Sequence, residues 1–535
     1  MRRFWATATA VALCAVGVAV TAAQAGPQGG GRKHGPAAIA WGPCTDATLK
    51  ARSAECGFVS VPMDYRKPSG TKIQLAVSRI KHTVPAADYQ GVILVNPGGP
   101  GGPGLSMATL GSHVPKDAGA AYDWIGFDPR GVGTSKPKLT CDSDYQGYNR
   151  PAYVPSSASI EKAWHARTRG YAAACARAGK DLLNHLRTED SVRDVDSIRQ
   201  ALGVEKVSFY GFSYGTYLAQ VFATRYPTRV HRMVLDGVVD PTRVWYRSNL
   251  DQDVAFDRSI KVYFAWLAKH DSVYHLGKTA RAVEKLYYKQ LDLLAAKPAG
   301  GLIGPAEWTD IFLQPGYYIF GWEATAQAFA AWVGKQDAQP LKKLYDEQHP
   351  QTAGSDNGYA IYLGVQCTDA PWPRSWGTWT RDNWRVHRKA PFETWGNAWY
   401  NAPCRHWAGR AGKPVVVSGA KVPPVLLISE TLDAATPYSG SLEVRRRFPR
   451  SALIEGVGGT THAGSLFGNT CVDDAIADYL GSGKLPKRVK ANRSDKQCEP
   501  IAQPTPAATT VPAPAGKRAG TPNDRLRLQR LITGR

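Results

Sequence analysis

Beyond residue 25 the sequence has no run of 18 uncharged apolar residues, so no membrane-spanning helix is expected there. It has no C-x-x-C pair, which removes the usual thiolate spacing for a metal site. A Gly/Pro-rich stretch, Asn96-Pro97-Gly98-Gly99-Pro100-Gly101-Gly102-Pro103-Gly104, is not followed by G-K-[ST]. A phosphate-cradling loop would therefore lack its lysine. Acidic residues are few: 44 Asp and Glu face 66 Lys and Arg, for a net charge of +22. No basic helix or aromatic-basic module accompanies that excess, so nucleic-acid binding is not expected. The charge reads mainly as solvated surface, with weak association to anionic cell-wall polymers as its other expected use. No cofactor or metal is expected.

The start of the chain differs in composition. Arg2 and Arg3 precede an apolar stretch from Ala6 to Ala22, and Ala23-Gln24-Ala25 supplies small residues before Gly26. This reads as a secretory signal peptide over 1–25 with an A-x-A cleavage site. Cys14 lies inside the apolar stretch and not at the cleavage site, so no lipid anchor is expected. Nine cysteines less Cys14 leave eight, and an even number in an exported chain argues for disulfides. They fall into sequence neighbours, which predicts Cys44–Cys56, Cys141–Cys175, Cys367–Cys404 and Cys471–Cys498.

What is present is organised around Val207-Ser208-Phe209-Tyr210-Gly211-Phe212-Ser213-Tyr214-Gly215-Thr216. A short apolar strand breaks at G-x-S-x-G, with a helix-like run from Leu218 to Tyr226 behind it. That is the pattern of a nucleophile elbow, a strained turn that lifts one serine hydroxyl above the sheet of an α/β-hydrolase. Upstream, Gly91 to Val95 reads as a buried parallel strand. The Gly/Pro loop after it is the expected oxyanion loop. Its prolines have no N–H, so Gly99 is the expected donor, with Gly98 second, beside the N–H of Tyr214. Asp128 and Arg130, in Gly126-Phe127-Asp128-Pro129-Arg130-Gly131, are expected to pair and hold their loop. Glu189 to Leu202 reads as an amphipathic helix, and Val230 to Val239 as the next strand.

The βα rhythm then stops. Residues 242–410 are helical and aromatic in pattern, with twelve of the sixteen tryptophans. A helical lid inserted after the sixth strand is expected there, its tryptophans forming mainly its own core. The organisation expected is a linker or pro-segment at 26–39, core at 40–241, lid at 242–410, core again at 411–498 and a disordered basic tail at 499–535.

In this fold the triad runs Ser, acid, His along the chain. Of twelve histidines, His462 alone lies beyond residue 433. The acid is Asp433 after the seventh strand, or Asp236 after the sixth; Glu430 and Glu455 are further rivals. His462 would take the proton of Ser213 and return it to the leaving group, while the acid fixes the tautomer.

The set Asn96-Pro97-Gly98-Gly99-Pro100-Gly101, Gly126-Phe127-Asp128-Pro129-Arg130-Gly131-Val132-Gly133-Thr134-Ser135, Gly211-Phe212-Ser213-Tyr214-Gly215-Thr216, Leu235-Asp236-Gly237-Val238 and Asp433-x-x-Thr436-Pro437 resembles the secreted bacterial tripeptidyl aminopeptidases. These are α/β-hydrolases related to prolyl aminopeptidases, with a TAP-like C-terminal region. The resemblance covers nearly all of residues 40–498 and implies that Ser213, Asp433 and His462 form the triad. It departs at Thr461-His462-Ala463-Gly464, where relatives often have Gly-His-Gly, and in the basic tail. It implies a secreted serine exopeptidase that releases short peptides, tripeptides first, from free N-termini. A carboxylic-ester or amide hydrolase and a wall-associated binding protein with a silent site are the alternatives. An exopeptidase needs a carboxylate for the substrate ammonium, hung from the lid where water is excluded. Asp369 is the first candidate and Glu323 the second.

Overall fold

The structure, a computed structural model, describes residues 36–506. The expected signal peptide, most of the linker and the tail past 506 lie outside the described residues. Ten strands build one sheet: β1 (Gly42–Pro43), β2 (Glu55–Pro62), β3 (Lys72–Ile80), β4 (Gly91–Asn96), β5 (Tyr122–Phe127), β6 (Val207–Phe212), β7 (Val230–Asp236), β8 (Val425–Glu430), β9 (Ser451–Gly456) and β10 (Lys496–Cys498). Their order across the sheet is β1-β2-β3-β5-β4-β6-β7-β8-β9-β10. β2 pairs antiparallel with β1 and β3, and β3 with β5. From β5 through β4, β6, β7, β8 and β9 to β10 every pairing is parallel. This is the mostly parallel α/β-hydrolase sheet. The strand expected to be sixth is β7 in chain order, because the two-residue β1 has no signature in the sequence.

The central strands are mostly buried, β6, β8 and β9 at every residue. A sheet covered on both faces requires this, and it explains their continuous apolar runs. β5 and β6 flank β4 on opposite sides, so the chain reverses direction across the sheet there and leaves a crevice beyond the C-terminal strand ends. Helix α1 (Thr188–Ala201) lies where the amphipathic pattern is expected. Helix α2 (Tyr214–Arg225) starts directly behind Ser213, four residues before the apolar spacing becomes readable.

Between β7 and β8 the chain is helical. Helices α3 (Tyr246–Lys269), α4 (Pro305–Tyr317), α5 (Ala353–Asp369) and α6 (Thr394–Asn401) belong to this lid. Trp308, Trp322, Trp379, Trp395 and Trp399 are at most 1% exposed and belong to cores continuous with the sheet, so they do not line an open pocket. After β9 comes helix α7 (Thr470–Ser482). All four expected disulfides are present.

Two expectations change. Arg130 does not pair with Asp128. Its Nε and Nη2 donate to both oxygens of Asp194 on α1, each at 2.7 Å. Asp128 instead accepts from the backbone N–H groups of Gly104, Leu105 and Thr134 at 2.7, 3.2 and 2.7 Å. Three converging amides satisfy a carboxylate without a cation, which frees the guanidinium for the helix behind. The tail, expected to be disordered from 499, packs as far as 506. Ile501 is buried, and the carbonyl of Pro504 accepts from Trp266 Nε1 at 2.9 Å.

Candidate active site

Ser213 follows directly on β6 with a positive φ, φ 53° and ψ −125°. A non-glycine residue is held there only when its surroundings over-determine it. Here the Ser213 N–H donates to the Asp236 carbonyl at 2.9 Å. The Ser213 carbonyl accepts from the Thr216 N–H at 2.9 Å and from the Thr216 hydroxyl at 2.6 Å. The turn is therefore clamped between the end of β7 and the first turn of α2.

His462 stands in the loop between β9 and α7, and Asp433 in the loop after β8. Asp433 Oδ2 lies 2.8 Å from His462 Nδ1 and accepts the Thr436 hydroxyl at 2.7 Å. Its other oxygen accepts the N–H groups of Ala435 and Thr436 at 2.9 and 3.0 Å. Four donors thus fix a carboxylate with no solvent exposure. Burial pulls the imidazole pKa down, but the charge and hydrogen bond of Asp433, helped by the charge of Asp236, hold it above the usual value. The ring reaches over the end of β7: a Cβ on Gly237 would lie 2.9 Å from His462 Cε1. From the lid, the Tyr317 carbonyl accepts the His462 N–H at 2.8 Å, and the Tyr317 ring meets the imidazole edge-on at 5.9 Å.

Of the rival acids, Asp236 faces the histidine loop without bonding the ring. Its Oδ2 accepts the Ser465 N–H at 2.8 Å, and burial raises its pKa to about 6. Glu430 is buried with Oε2 unpartnered among the described residues. Burial, then the charges of Asp236 and Asp433, raise its pKa to about 8. Glu455 accepts from Gln497 at 2.8 Å on the far strand β10.

The Gly/Pro-rich loop after β4 meets the elbow at Gly98, where a Cβ would lie 2.6 Å from the Phe212 carbonyl and 2.9 Å from Ser213 Cβ. Only a bare Cα tolerates that approach. The Gly98 N–H already donates to Asn96 Oδ1 at 3.1 Å. The N–H groups of Gly99 and Tyr214 have no protein acceptor among the described residues, the latter as one of the orphan donors in a first helical turn.

The two lid acids named from the sequence are engaged elsewhere. Asp369 closes α5, and the nearby Cys367–Cys404 bridge is as expected. Its carboxylate, however, accepts the Thr188 N–H at 2.7 Å, the Thr188 hydroxyl at 2.6 Å and Trp245 Nε1 at 3.2 Å. It therefore pins the start of α1. Burial leaves its pKa at about 6. Glu323 accepts from the Tyr274 hydroxyl and from Gln327 Nε2 at 2.7 Å. Asp369 is buried by its bonds, while Glu323 is partly exposed and held by two neutral donors. The sequence reading named Thr436 only as part of the family motif, without its contact to Asp433, and overlooked Tyr317. Thr436 sits three residues after Asp433, a side-chain turn signature that could have been read. Tyr317 carries no such signal.

Residues 91–289 match the family model for the α/β hydrolase fold, and residues 390–498 match the one described as TAP-like protein. The tripeptidyl aminopeptidase of Streptomyces lividans is 41% identical over 501 residues, 92% of this chain and 90% of the relative. Carboxylesterase B of Mycobacterium tuberculosis is 32% identical over 488 residues, 86% of this chain and 91% of the relative. Serine protease Hip1 of the same organism is 29% identical over 515 residues, 91% of this chain and 96% of the relative. With both family models in order along the chain, and that identity over nine-tenths of each protein, the chain belongs to the tripeptidyl aminopeptidase family of α/β-hydrolases.

Proposed function

We propose that this serine peptidase is exported and removes tripeptides from the free N-termini of peptides. In this reading Ser213 is the nucleophile, His462 the general base and acid, and Asp433 the group that orients the imidazole. The observation that carries it is the His462 Nδ1–Asp433 Oδ2 contact of 2.8 Å at the strand ends beside the Ser213 elbow. With Nδ1–H held by the carboxylate, Nε2 is the basic nitrogen. It takes the Ser213 proton as Oγ attacks the scissile carbonyl. The N–H groups of Tyr214 and Gly99 receive the oxyanion, and losing one such donor typically costs about 10²–10³ in rate. The tetrahedral intermediate collapses as imidazolium protonates the leaving amine, giving an acyl-enzyme. Water, deprotonated by His462, then releases the tripeptide.

The tripeptide length rests on the 41% relative that carries that name. Export is supported by the N-terminal pattern of residues 1–25 and by four disulfides. Residues 242–410 act as the lid over the site. A second reading, ester hydrolysis, is favoured by the relative named carboxylesterase B. Chromogenic di-, tri- and tetrapeptides with free and blocked amines, assayed beside simple esters, separate the two. Turnover of esters alone would overturn the peptidase assignment, and absence of a fluorophosphonate adduct at Ser213 would overturn both.

A further inference from the structure

Asp369 and Asp356 of the lid are buried but met by converging neutral donors, and Glu323 is engaged; two further buried lid acids have neither a cation nor such a set of donors. Asp253 of α3 is 1% exposed, and Glu393, at the start of α6, is 6% exposed. Asp253 accepts from Asn397 Nδ2 at 2.8 Å, and Glu393 Oε2 has no partner among the described residues. The nearby guanidinium, Arg150, is already taken by Glu307 and Asp310 at 3.2 and 2.5 Å. Two carboxyl groups buried without a counter-ion are costly, and the missing partner is a positive charge. Burial first, and neighbouring acids after it, hold both groups well above the usual carboxylate range.

A second observation lies beside them. Asn249, one helical turn before Asp253 on the same face of α3, has its Nδ2 buried and unpartnered among the described residues. Asn397 of α6 spans both positions, reaching the Asn249 carbonyl at 3.2 Å. An unused donor next to unused acceptors is what a peptide terminus needs, since its ammonium donates and its first carbonyl accepts.

A chain of contacts links these acids to the histidine. Phe256, three residues after Asp253, packs on Tyr317 at 4.8 Å, and Tyr317 on His462 at 5.9 Å. Gln252 Nε2 donates to the Ala435 carbonyl at 2.7 Å, in the loop of Asp433. Asp253 therefore stands about one helical turn from a ring stack that ends on the imidazole. An extended tripeptide spans about 10 Å.

We propose that Asp253 and Glu393 together bind the substrate's N-terminal ammonium, with Asn249 on the first peptide carbonyl. They thereby set the number of residues between the free end and Ser213. This rests on the exopeptidase reading above. The test uses the mature full chain, a tripeptide p-nitroanilide with a free amine, and its N-acetyl counterpart. Wild type is expected to prefer the free amine. Asp253→Asn and Glu393→Gln should each lower the free-to-blocked ratio of kcat/KM about ten- to a hundredfold, with the loss mainly in KM. Folded variants that keep the wild-type ratio overturn the proposal. Should Asp253→Asn fail to fold, Glu393→Gln on the other helix decides the matter by the same ratio. A wild type that cleaves both substrates equally overturns the exopeptidase reading and this proposal with it. Fluorophosphonate labelling of Ser213 reports separately on the triad.

Discussion

The sheet and the lid treat buried acids differently. Around the sheet they are met by cations or by converging donors. Asp194 has Arg130, Asp495 has Arg445 at 2.5 and 2.8 Å, Asp433 has His462, and Asp128 has three amides. In the lid, Arg150 serves Glu307 and Asp310 and three donors meet Asp369, while Asp253 has one amide and Glu393 Oε2 has no partner among the described residues. A charge matched inside the fold is architecture. One left unmatched is, on the proposal above, capacity for a ligand. Glu430 is the sheet's exception, buried with an oxygen unbonded among the described residues.

The comparison can be broken in several places, and the largest effect is expected at the acid that touches the imidazole. Asp433→Asn should lower kcat about 10⁴-fold by favouring the wrong tautomer, and Asp236→Asn much less. Steady-state rates with a tripeptide anilide measure both, and a more damaging Asp236→Asn would reverse the assignment. Next is stability. Arg130→Leu strands Asp194 and should cost about 3–5 kcal/mol in denaturant unfolding. Asp253→Asn removes an uncompensated buried acid and should leave the midpoint unchanged or higher. Equal losses in the two variants would erase the contrast.

The pH predictions come third. A base must be neutral to accept a proton, so activity should fall as pH drops through a His462 midpoint lying above the ordinary imidazole value. Glu430 has a folded pKa of about 8, above its unfolded value, so the native state holds the extra proton. Its contribution to stability is therefore present at low pH and lost as pH rises from about 4.5 towards 8. Glu430→Gln lacks that slope. Its melting temperature relative to wild type should climb between pH 5 and pH 9, and a flat difference would mean that Glu430 is charged throughout. The smallest effect is expected at Asp369→Asn. That change should weaken three hydrogen bonds, costing about 1–3 kcal/mol, and leave the preference for free amines untouched.

What was legible in the sequence follows from the range of the interactions involved. The buried strands announce themselves as apolar runs, and the elbow as two glycines around Ser213, because local backbone geometry demands those residues. Cysteine neighbours gave the disulfides for the same reason. Arg130 was misassigned because its partner lies 64 residues away, while Asp128 stood two residues off. Asp369 misled because its rigid, acidic setting was real but pointed at Thr188. Asp253 and Glu393 went unnoticed, since nothing in their neighbouring residues reveals that a cation is missing. That becomes visible only when α3 and α6 are side by side.

The four disulfides close spans of 12, 34, 37 and 27 residues. Loops of that size form early and at modest entropic cost, whether or not the rest of the chain has organised. The contacts that assemble the site are of another order. Asp236 reaches Ser465 across 229 residues, and Ile319 reaches Thr461 across 142. Contacts so distant in sequence are late events in folding. A refolding chain should therefore lose its free thiols well before it gains activity, so a thiol assay would count as finished molecules whose histidine loop has not yet met the elbow.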